Sequence, residues 1–547
     1  MKKQLIKFNI VAILSIIIFA FAVSPVELQN DTFYTIAIGE YILQNGVTME
    51  EPFAWHEGLK YTFPHWAYDV FIYLVHNLGG QVGVYLSTVM LGAILGICIY
   101  FVNAKLNKNH LVSFLIALLS MYLLRDFIAA RAQLVTFILF ILTVFCIERF
   151  LETKKKRYAI PLIIIPIIIS NVHSAVFPFY FVLFMPYIGE YIVALLSNFD
   201  VFILKHKVNK QQKELTAYQE KPQEEQNEED LKKIKEDYQA ITEKLEKLQL
   251  RKQNQESYKI IIEKNPTTKW LIVIAIICAF TGLLTPIGDM PYTYLTRIAE
   301  GNTTDSINEH LPMVLAENIN FATLLAVTLI LLMFTDTKMK LRDWFMLGGL
   351  IVLAITTRRQ ESMVYLIGMI VIAKIITYLF DKYDPEGTKK VLNAATSVCG
   401  IIIILALVLS LTLTMIKPKL NEEFVPARSY PMKAADYIIE NIDLETMRMY
   451  NDYNYGSYLL FRGIPVFIDS RSDLYTPEFN EGVDVFTDYI NISNIRVEYE
   501  PKFKEYGITH VMVYDASRLN VFLKNDDNYT LLYSDDYFCI YERKTTE

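Results

Sequence analysis

The chain has 547 residues, of which 53% are hydrophobic, 20% charged and 13% aromatic, with a formal net charge of −7. An average soluble protein holds about 45–50% apolar and about 25% charged residues, so this excess requires several apolar runs of about 20 residues rather than one large core. That excludes a soluble enzyme, a disordered protein and a disulfide-stapled secreted domain, and no basic stripe points to a nucleic-acid partner.

In chain order, MKKQLIK precedes an apolar run from Phe8 to about Val26. Ala20-Phe21-Ala22 resembles a cleavage site, but the many later runs favour an uncleaved first helix over a signal peptide. A polar loop over 25–80 follows. Further apolar runs fall at about 81–103, 111–124, 132–149, 158–169, 175–197, 269–284, 320–335, 343–356, 362–380 and 391–416, which makes about eleven transmembrane helices. With the N-terminus in the cytoplasm, the inner connections hold 16 Lys/Arg in 40 residues and the outer ones 6 in 110. This asymmetry predicts a multi-pass protein of the cell membrane with its C-terminal domain extracytoplasmic. The cysteines Cys98, Cys146, Cys278, Cys399 and Cys539 have no CxxC spacing, so neither a structural disulfide nor a zinc site is inferred.

Two soluble parts divide the chain. Residues 1–202 form an N-terminal transmembrane region and 266–416 a C-terminal one, separated by a charged insertion over 203–265. There Leu231, Ile234, Tyr238, Ile241, Leu245 and Leu248 repeat at alternating spacings of three and four, the seam of a coiled coil. Two readings stand: a cytoplasmic helical hairpin packed on itself, or a docking element for a cytoplasmic protein. Residues 417–547 read as an α/β domain, with an amphipathic helix over Pro431–Ile442. Its expected strands are Tyr458–Phe461, Val466–Ile468, His510–Tyr514 and Tyr537–Tyr541.

Ionisable residues gather at one predicted face. Asp31 follows the first span, and the loop after it carries Glu51, His65 and Trp66. Arg125, Asp126 and Arg131 occupy the next outer turn, Asn171 and His173 the third, Glu309 and His310 a long outer loop, and Arg358 and Arg359 the last turn. Singly, each reads as a solvated loop residue or a snorkelling anchor; together they outline a polar cavity under the C-terminal domain.

The stretch Asp31-Thr-Phe-Tyr-Thr-Ile-Ala-Ile-Gly39-Glu-Tyr-Ile, with Gly46, Glu51-Pro-Phe and His65-Trp66, resembles the first outer loop of GT-C-type integral-membrane glycosyltransferases. Ser170-Asn-Val-His173, Thr357-Arg-Arg359 and Pro465–Tyr475 (PVFIDSRSDLY) resemble segments of an uncharacterised bacterial branch of that superfamily. The similarity spans nearly the whole chain apart from 203–265. The string Asn451-Asp452-Tyr453-Asn454-Tyr455-Gly456 lacks the tryptophans of the WWDYG segment of oligosaccharyltransferases, so an acceptor other than a peptide sequon is preferred.

The resemblance implies transfer of a sugar from a polyprenyl-phosphate-linked donor to a saccharide, lipid or protein acceptor at the outer face of the bilayer. Such chemistry needs a base for the acceptor hydroxyl and positive charge for the departing phosphate. Asp31 is the candidate base, with Glu309 as a second catalytic acid. Arg131, Arg358 and Arg359 are candidate phosphate ligands, and His65, Trp66, Asn171 and His173 candidate sugar ligands. Asp469 and Arg471 either reach the substrate or pair with each other inside the fold. Asp126 and Glu309 sit where the oligosaccharyltransferase relatives carry metal-linked acids and would suit Mg or Mn, with an Arg125–Asp126 ion pair as the competing reading. No cofactor is certain. A transporter or flippase for lipid-linked saccharides and a non-catalytic membrane scaffold are the alternatives. The near absence of charge at the span centres counts against transport.

Overall fold

A backbone in hydrocarbon has no water to bond, so its apolar runs close their hydrogen bonds internally as helices. The computed structural model describes residues 2–60, 63–222, 227–254, 259–301, 303, 307, 309–480 and 482–544. The N-terminal part contains α1 (Lys2–Val23), α2 (Asn30–Asn45), α3 (Trp66–Asn107), α4 (His110–Leu123), α5 (Ala132–Thr153), α6 (Lys156–Val172), α7 (Phe177–Val182) and α8 (Met185–Ser197). The insertion supplies α9 (Phe199–Gln219) and α10 (Glu228–Asn254), followed by the short strand β1 (Ile260–Ile261). Then come α11 (Thr268–Ala279), α12 (Met290–Glu300), α13 (Ile319–Phe334), β2 (Met339–Lys340), α14 (Leu341–Thr356), α15 (Met369–Tyr383), α16 (Gly387–Ala395) and α17 (Val398–Ile416).

Among the described residues, six stretches are long and apolar enough to cross a membrane: Lys3–Val23, Trp66–Asn107, Ala132–Thr153, Ser174–Ser197, Arg358–Tyr383 and Val398–Asn421. Shorter apolar helices cover His110–Leu123, Thr268–Leu283 and Ile319–Phe334. The chain is a multi-pass membrane protein. The expected run at 175–197 is divided between α7 and α8, and Pro186, which lacks an N–H, falls in the opening turn of the second.

The polar loop expected over 25–80 is largely helical. It forms α2 and the first part of α3, which bends at Gly80, where φ is 58° and ψ −149°. The two helices cross closely at Gly39: a Cβ there would meet the Asp69 carbonyl oxygen at 2.2 Å. Helix α2 is buried on nearly every side, from Thr32 to Gly39. Such a helix belongs between two layers rather than on a surface.

The second layer is the C-terminal domain, built from α18 (Met432–Asn441), β3 (Met449–Tyr450), α19 (Tyr453–Phe461), α20 (Val485–Ser493), α21 (Tyr499–Tyr506), β4 (His510–Tyr514), α22 (Arg518–Leu523), β5 (Tyr529–Ser534) and β6 (Phe538–Arg543). Its sheet has the order β3-β4-β6-β5, with β3 parallel to β4 and the other pairs antiparallel. Two expected strands are corrected. Tyr458–Phe461 belongs to α19, whose N-cap Asp452 accepts from the Asn454 N–H. Val466 forms only an isolated bridge with Ala54, since Pro465 cannot donate to a ladder.

One apolar core runs through α2, the start of α3 and this domain. Phe33 stands edge-on to Tyr430 and Tyr458, with ring centroids 4.8 and 5.1 Å away. Tyr430 donates to the Leu28 carbonyl at 2.7 Å. Lys419 Nζ caps the end of α1 through the Ala22 and Ser24 carbonyls.

At the opposite end of the bundle, buried charges join four helices to the exit of the insertion. Arg342 of α14 reaches Glu148 of α5 at 3.3 Å, Glu190 of α8 at 3.0 Å and Glu263 at 3.3 Å. Lys374 of α15 bonds Glu148 and Asp343 at 3.0 and 2.7 Å. In the insertion itself α9 packs on α10, whose half-buried positions include Leu231, Ile234, Tyr238, Ile241, Leu245 and Leu248.

His56 gives this architecture a pH dependence. Its ring is packed beside Trp55, Phe467 and Tyr506, and its Nε2–H donates to the Phe467 carbonyl at 2.8 Å. Burial, aided by the Arg448 charge and opposed by that hydrogen bond, lowers the imidazole to about 4. The unfolded chain therefore binds the extra proton between pH 6.5 and 4, and stability falls as pH drops through that window. At pH 5 the loss is about 2 kcal/mol relative to pH 7.5. Thermal unfolding of wild type and His56→Gln at both pH values tests this: the variant should lose most of the difference, and an unchanged difference would remove His56 as its source.

Candidate functional site

Helix α2 opens at Asn30, and Gln29 before it makes no side-chain cap. Asp31, in the first turn, directs its carboxylate to the Arg131 guanidinium in a close ion pair. Arg131 is the residue before α5, so the ends of two helices meet in this bond. The same guanidinium lies 3.9 Å from Glu309 Oε1. Asp31 is 14% exposed, Arg131 30% and Glu309 53%, which describes a cluster open on one side.

The C-terminal domain and the 357–360 turn close on this cluster. Asn30 Nδ2 donates to the Tyr453 carbonyl at 2.9 Å, and the charge of Arg131 is felt at Tyr453. The Arg359 N–H donates to the Glu309 carbonyl at 3.1 Å, and the Arg358 N–H to that of Leu311 at 3.0 Å. Their side chains part from there. Arg358 turns outward to Glu317, 3.1 Å away, and to the Pro312 carbonyl. Arg359 has no carboxylate partner among the described residues, and its charge acts on Arg131, His173, His310 and Asp473.

Below this lie two histidines whose rings are 6.5 Å apart. His65 holds Nδ1 2.7 Å from Asp69 Oδ1 and Nε2 3.2 Å from the Tyr34 hydroxyl. His173 is buried with Nδ1 3.0 Å from Thr136 Oγ1. Burial, then the charges of His65, Arg359 and Arg131, hold its imidazole well below the usual range, so it stays neutral. A neutral histidine among arginines acts as a hydrogen-bonding surface rather than a further cation.

Several sequence-derived candidates have other employment. Asn171 accepts from Trp66 Nε1 at 3.2 Å and donates to the Ile167 and Leu284 carbonyls, so both residues fasten α3 to α6. Of the two readings open for Asp469 and Arg471, the structure has the fold-internal pair. They pair at 2.6 Å with almost no exposure, and Arg471 also holds Glu51 at 2.6 Å while Tyr475 donates to Asp469. Asp126 is 72% exposed and pairs with Arg125 at 3.5 Å. Of the string from Ser306 to His310, Ser306 and Asn308 lie outside the described residues.

The proposed metal ligands do not fit a metal. Among the described residues no three His, Cys, Asp or Glu side chains converge, and Asp126 is engaged away from the pair of Asp31 and Glu309. Between those two carboxylates stands the Arg131 guanidinium, a cation already supplied by the chain. Among the described residues, Mg or Mn therefore has no assembled donor set.

Tyr453 and Asp473 escaped the sequence reading. Asp473 accepts from the Tyr294 hydroxyl at 3.0 Å and from Thr303, and burial raises its pKa against the lowering effects of those bonds and of Arg359. It follows Arg471 by two residues in a motif already singled out, so the signal was present but fell on its neighbours.

No protein-family model matches the chain, and no curated protein does. Solved structures of Archaeoglobus fulgidus oligosaccharyltransferase are similar in fold. The apo form superposes with a TM-score of 0.54 at 13% identity, covering 93% of this chain and 69% of that one. The complex with an inhibitory peptide and dolichol-phosphate gives 0.51 at 11% identity, covering 98% and 74%. The form tethered to an acceptor peptide containing the NVT sequon gives 0.52 at 12% identity, covering 99% and 74%. The chain thus shares the fold of these structures.

The two arginine environments lead to opposite expectations. Arg471→Ala would leave Glu51 and Asp469 buried without their cation, at a cost of about 3–5 kcal/mol. Arg359→Ala removes a cation with no described partner and should stay within about 1 kcal/mol of wild type. Limited proteolysis and thermal unfolding of the full chain separate them. Equal stability of the two variants would contradict the assignment of Arg471 to the fold and Arg359 to the site.

Proposed function

We propose that this protein is a GT-C-type glycosyltransferase that moves a sugar from a polyprenyl-phosphate-linked donor to an acceptor hydroxyl, at the membrane face covered by the C-terminal domain. The observation that carries the reading is the convergence of Asp31, Arg131, Glu309 and Arg359, which has no carboxylate partner among the described residues, at one helix-end cluster on the fold of an oligosaccharyltransferase. An acid and two guanidiniums at the membrane boundary suit a phosphate-linked lipid, whose headgroup stops at that height while its chain stays among the apolar helices.

In this reading Asp31 takes the proton of the acceptor hydroxyl. The acceptor oxygen forms its bond to the anomeric carbon as the bond from that carbon to the phosphate oxygen breaks, and the phosphate leaves with the electron pair. Arg359 and Arg131 meet its charge. The Asp31–Arg131 pair adds an ordering to these events. While paired, the Asp31 carboxylate is occupied by the guanidinium and is not free to accept the acceptor's proton. A donor phosphate competes for Arg131, so the base is released where the leaving group is bound. Glu309 keeps Arg131 in reach of both positions, and His65 and His173 offer hydrogen bonds to the sugar. The acceptor is a saccharide, lipid or protein other than a sequon peptide.

Orientation belongs to the same proposal. The Lys/Arg asymmetry puts the N-terminus and the 203–265 hairpin in the cytoplasm and 417–547 outside. Glu229→Cys should resist an impermeant thiol reagent in intact cells and Asp526→Cys should react, in a background lacking the native cysteines; the reverse pattern would invert the layout.

The enzymatic reading is tested at Asp31. Asp31→Asn keeps the shape and hydrogen bonding of the side chain but not its basicity, and loss of a general base costs about 10²–10⁴-fold in rate. The variant should lower turnover in membranes while lipid-linked sugars accumulate in cells, as mass spectrometry would report for a deletion strain. Transfer at the wild-type rate by a normally expressed variant would remove Asp31 from the chemistry.

A further inference from the structure

At the end of the bundle opposite the C-terminal domain lies a cavity of about 330 Å³. Its walls come from the start of α1, the end of α3, the start of α4 and the short helix α16. Lys105, Lys108, Lys389 and His110 line it, and no carboxylate does. The same cavity has an apolar side formed by Leu5, Leu111 and Leu392.

The polar lining is mostly uncommitted. Among the described residues neither Lys105 nor Lys108 has an ion pair, whereas Lys389 reaches Glu386 at 3.2 Å on the exposed surface. His110 is oriented through Nδ1, which lies 2.9 Å from Asn9 Oδ1 and 3.2 Å from the Tyr100 hydroxyl. Its Nε2 has no described partner. Lysines are expected at an inner membrane boundary in any case. Here they come from two separate parts of the chain and converge on a walled space that excludes acids and adjoins leucines.

The height of the cavity matches a lipid headgroup. Leu5 sits near the start of α1, and the helix runs on to Val23, roughly 27 Å at 1.5 Å per residue. The cavity and the Asp31 cluster therefore occupy opposite boundaries of the apolar layer. A phosphate would satisfy the lysines, and a glycerol backbone with the start of an acyl chain would cover the leucines. Free phosphate would leave the leucines bare.

We propose that this cavity binds the headgroup of an anionic phospholipid in the leaflet opposite the C-terminal domain. The lysines hold its phosphate, and the lipid joins α1, the α3–α4 connection and α16, three parts of the chain distant in sequence. The site is independent of the transferase reading and does not draw on the residues of the Asp31 cluster.

Native mass spectrometry of the full chain, mixed with phosphatidylglycerol or phosphatidylcholine vesicles before release from detergent, tests the assignment. Wild type should retain phosphatidylglycerol and not phosphatidylcholine. A lysine near a membrane surface contributes about fivefold to such binding, so Lys105→Ala with Lys108→Ala should weaken it about 30-fold. Lys155→Ala with Lys156→Ala, on the same face outside the cavity, should leave it unchanged. Equal weakening by both pairs would reduce the site to diffuse surface charge. Displacement of the lipid by millimolar inorganic phosphate would make it a free-phosphate site, and equal retention of both lipids would show no headgroup recognition; either overturns the proposal. Should the double alanine variant fail to fold, Lys105→Gln and Lys108→Gln singly carry the same readout at about fivefold each.

Discussion

A single guanidinium ties the first loop to the C-terminal domain. Arg471 is buried with Asp469, two residues away, and with Glu51, 420 residues away. Neither carboxylate tolerates burial without that cation, so the loop and the domain are held as one body. Around this bond the aromatic contacts of Phe33 and the hydrogen bond from Asn30 to Tyr453 complete the seam. Asp31 is the next residue after Asn30, so its position against Arg131 follows from that docking.

The site is also anchored from below. Helix α5 begins beside Arg131 and carries Glu148 near its other end, and α14 begins with Arg342 and ends before Arg358 and Arg359. The two helices that present arginines to one face are therefore joined at the opposite face by the Glu148–Arg342 ion pair. Charges placed so near hydrocarbon are costly unless paired, and here each acid of the network faces a cation. Such pairing describes a fastening between helices. Glu263 belongs to the same network, so the exit of the helical insertion is fixed to the bundle even though its hairpin projects away.

Asp31 illustrates how local and tertiary roles compete for a side chain. An acid at the start of a helix is favoured as an N-cap or by the helix dipole. In α2 the capping position belongs to Gln29, which makes no side-chain bond, and Asp31 is committed to Arg131 instead. The reverse holds for Asn171, which resembled a site residue in sequence and instead bonds two carbonyls and Trp66.

Composition and periodicity by themselves determined that the chain is a polytopic helical protein, where its apolar runs lie, and that 203–265 carries a heptad seam, because hydrophobic length and spacing are local properties. They also determined which polar residues stand at helix ends. They did not determine that the polar first loop is helical and buried, since α2 is apolar only in relation to a domain encoded 400 residues later. Nor did they distinguish Arg359, without a described carboxylate, from Arg358, on Glu317, or the buried Arg471 from the exposed Asp126. A charge is a ligand, a fastening or a surface group according to which opposite charge the fold brings within about 4 Å, and only the tertiary structure sets that distance.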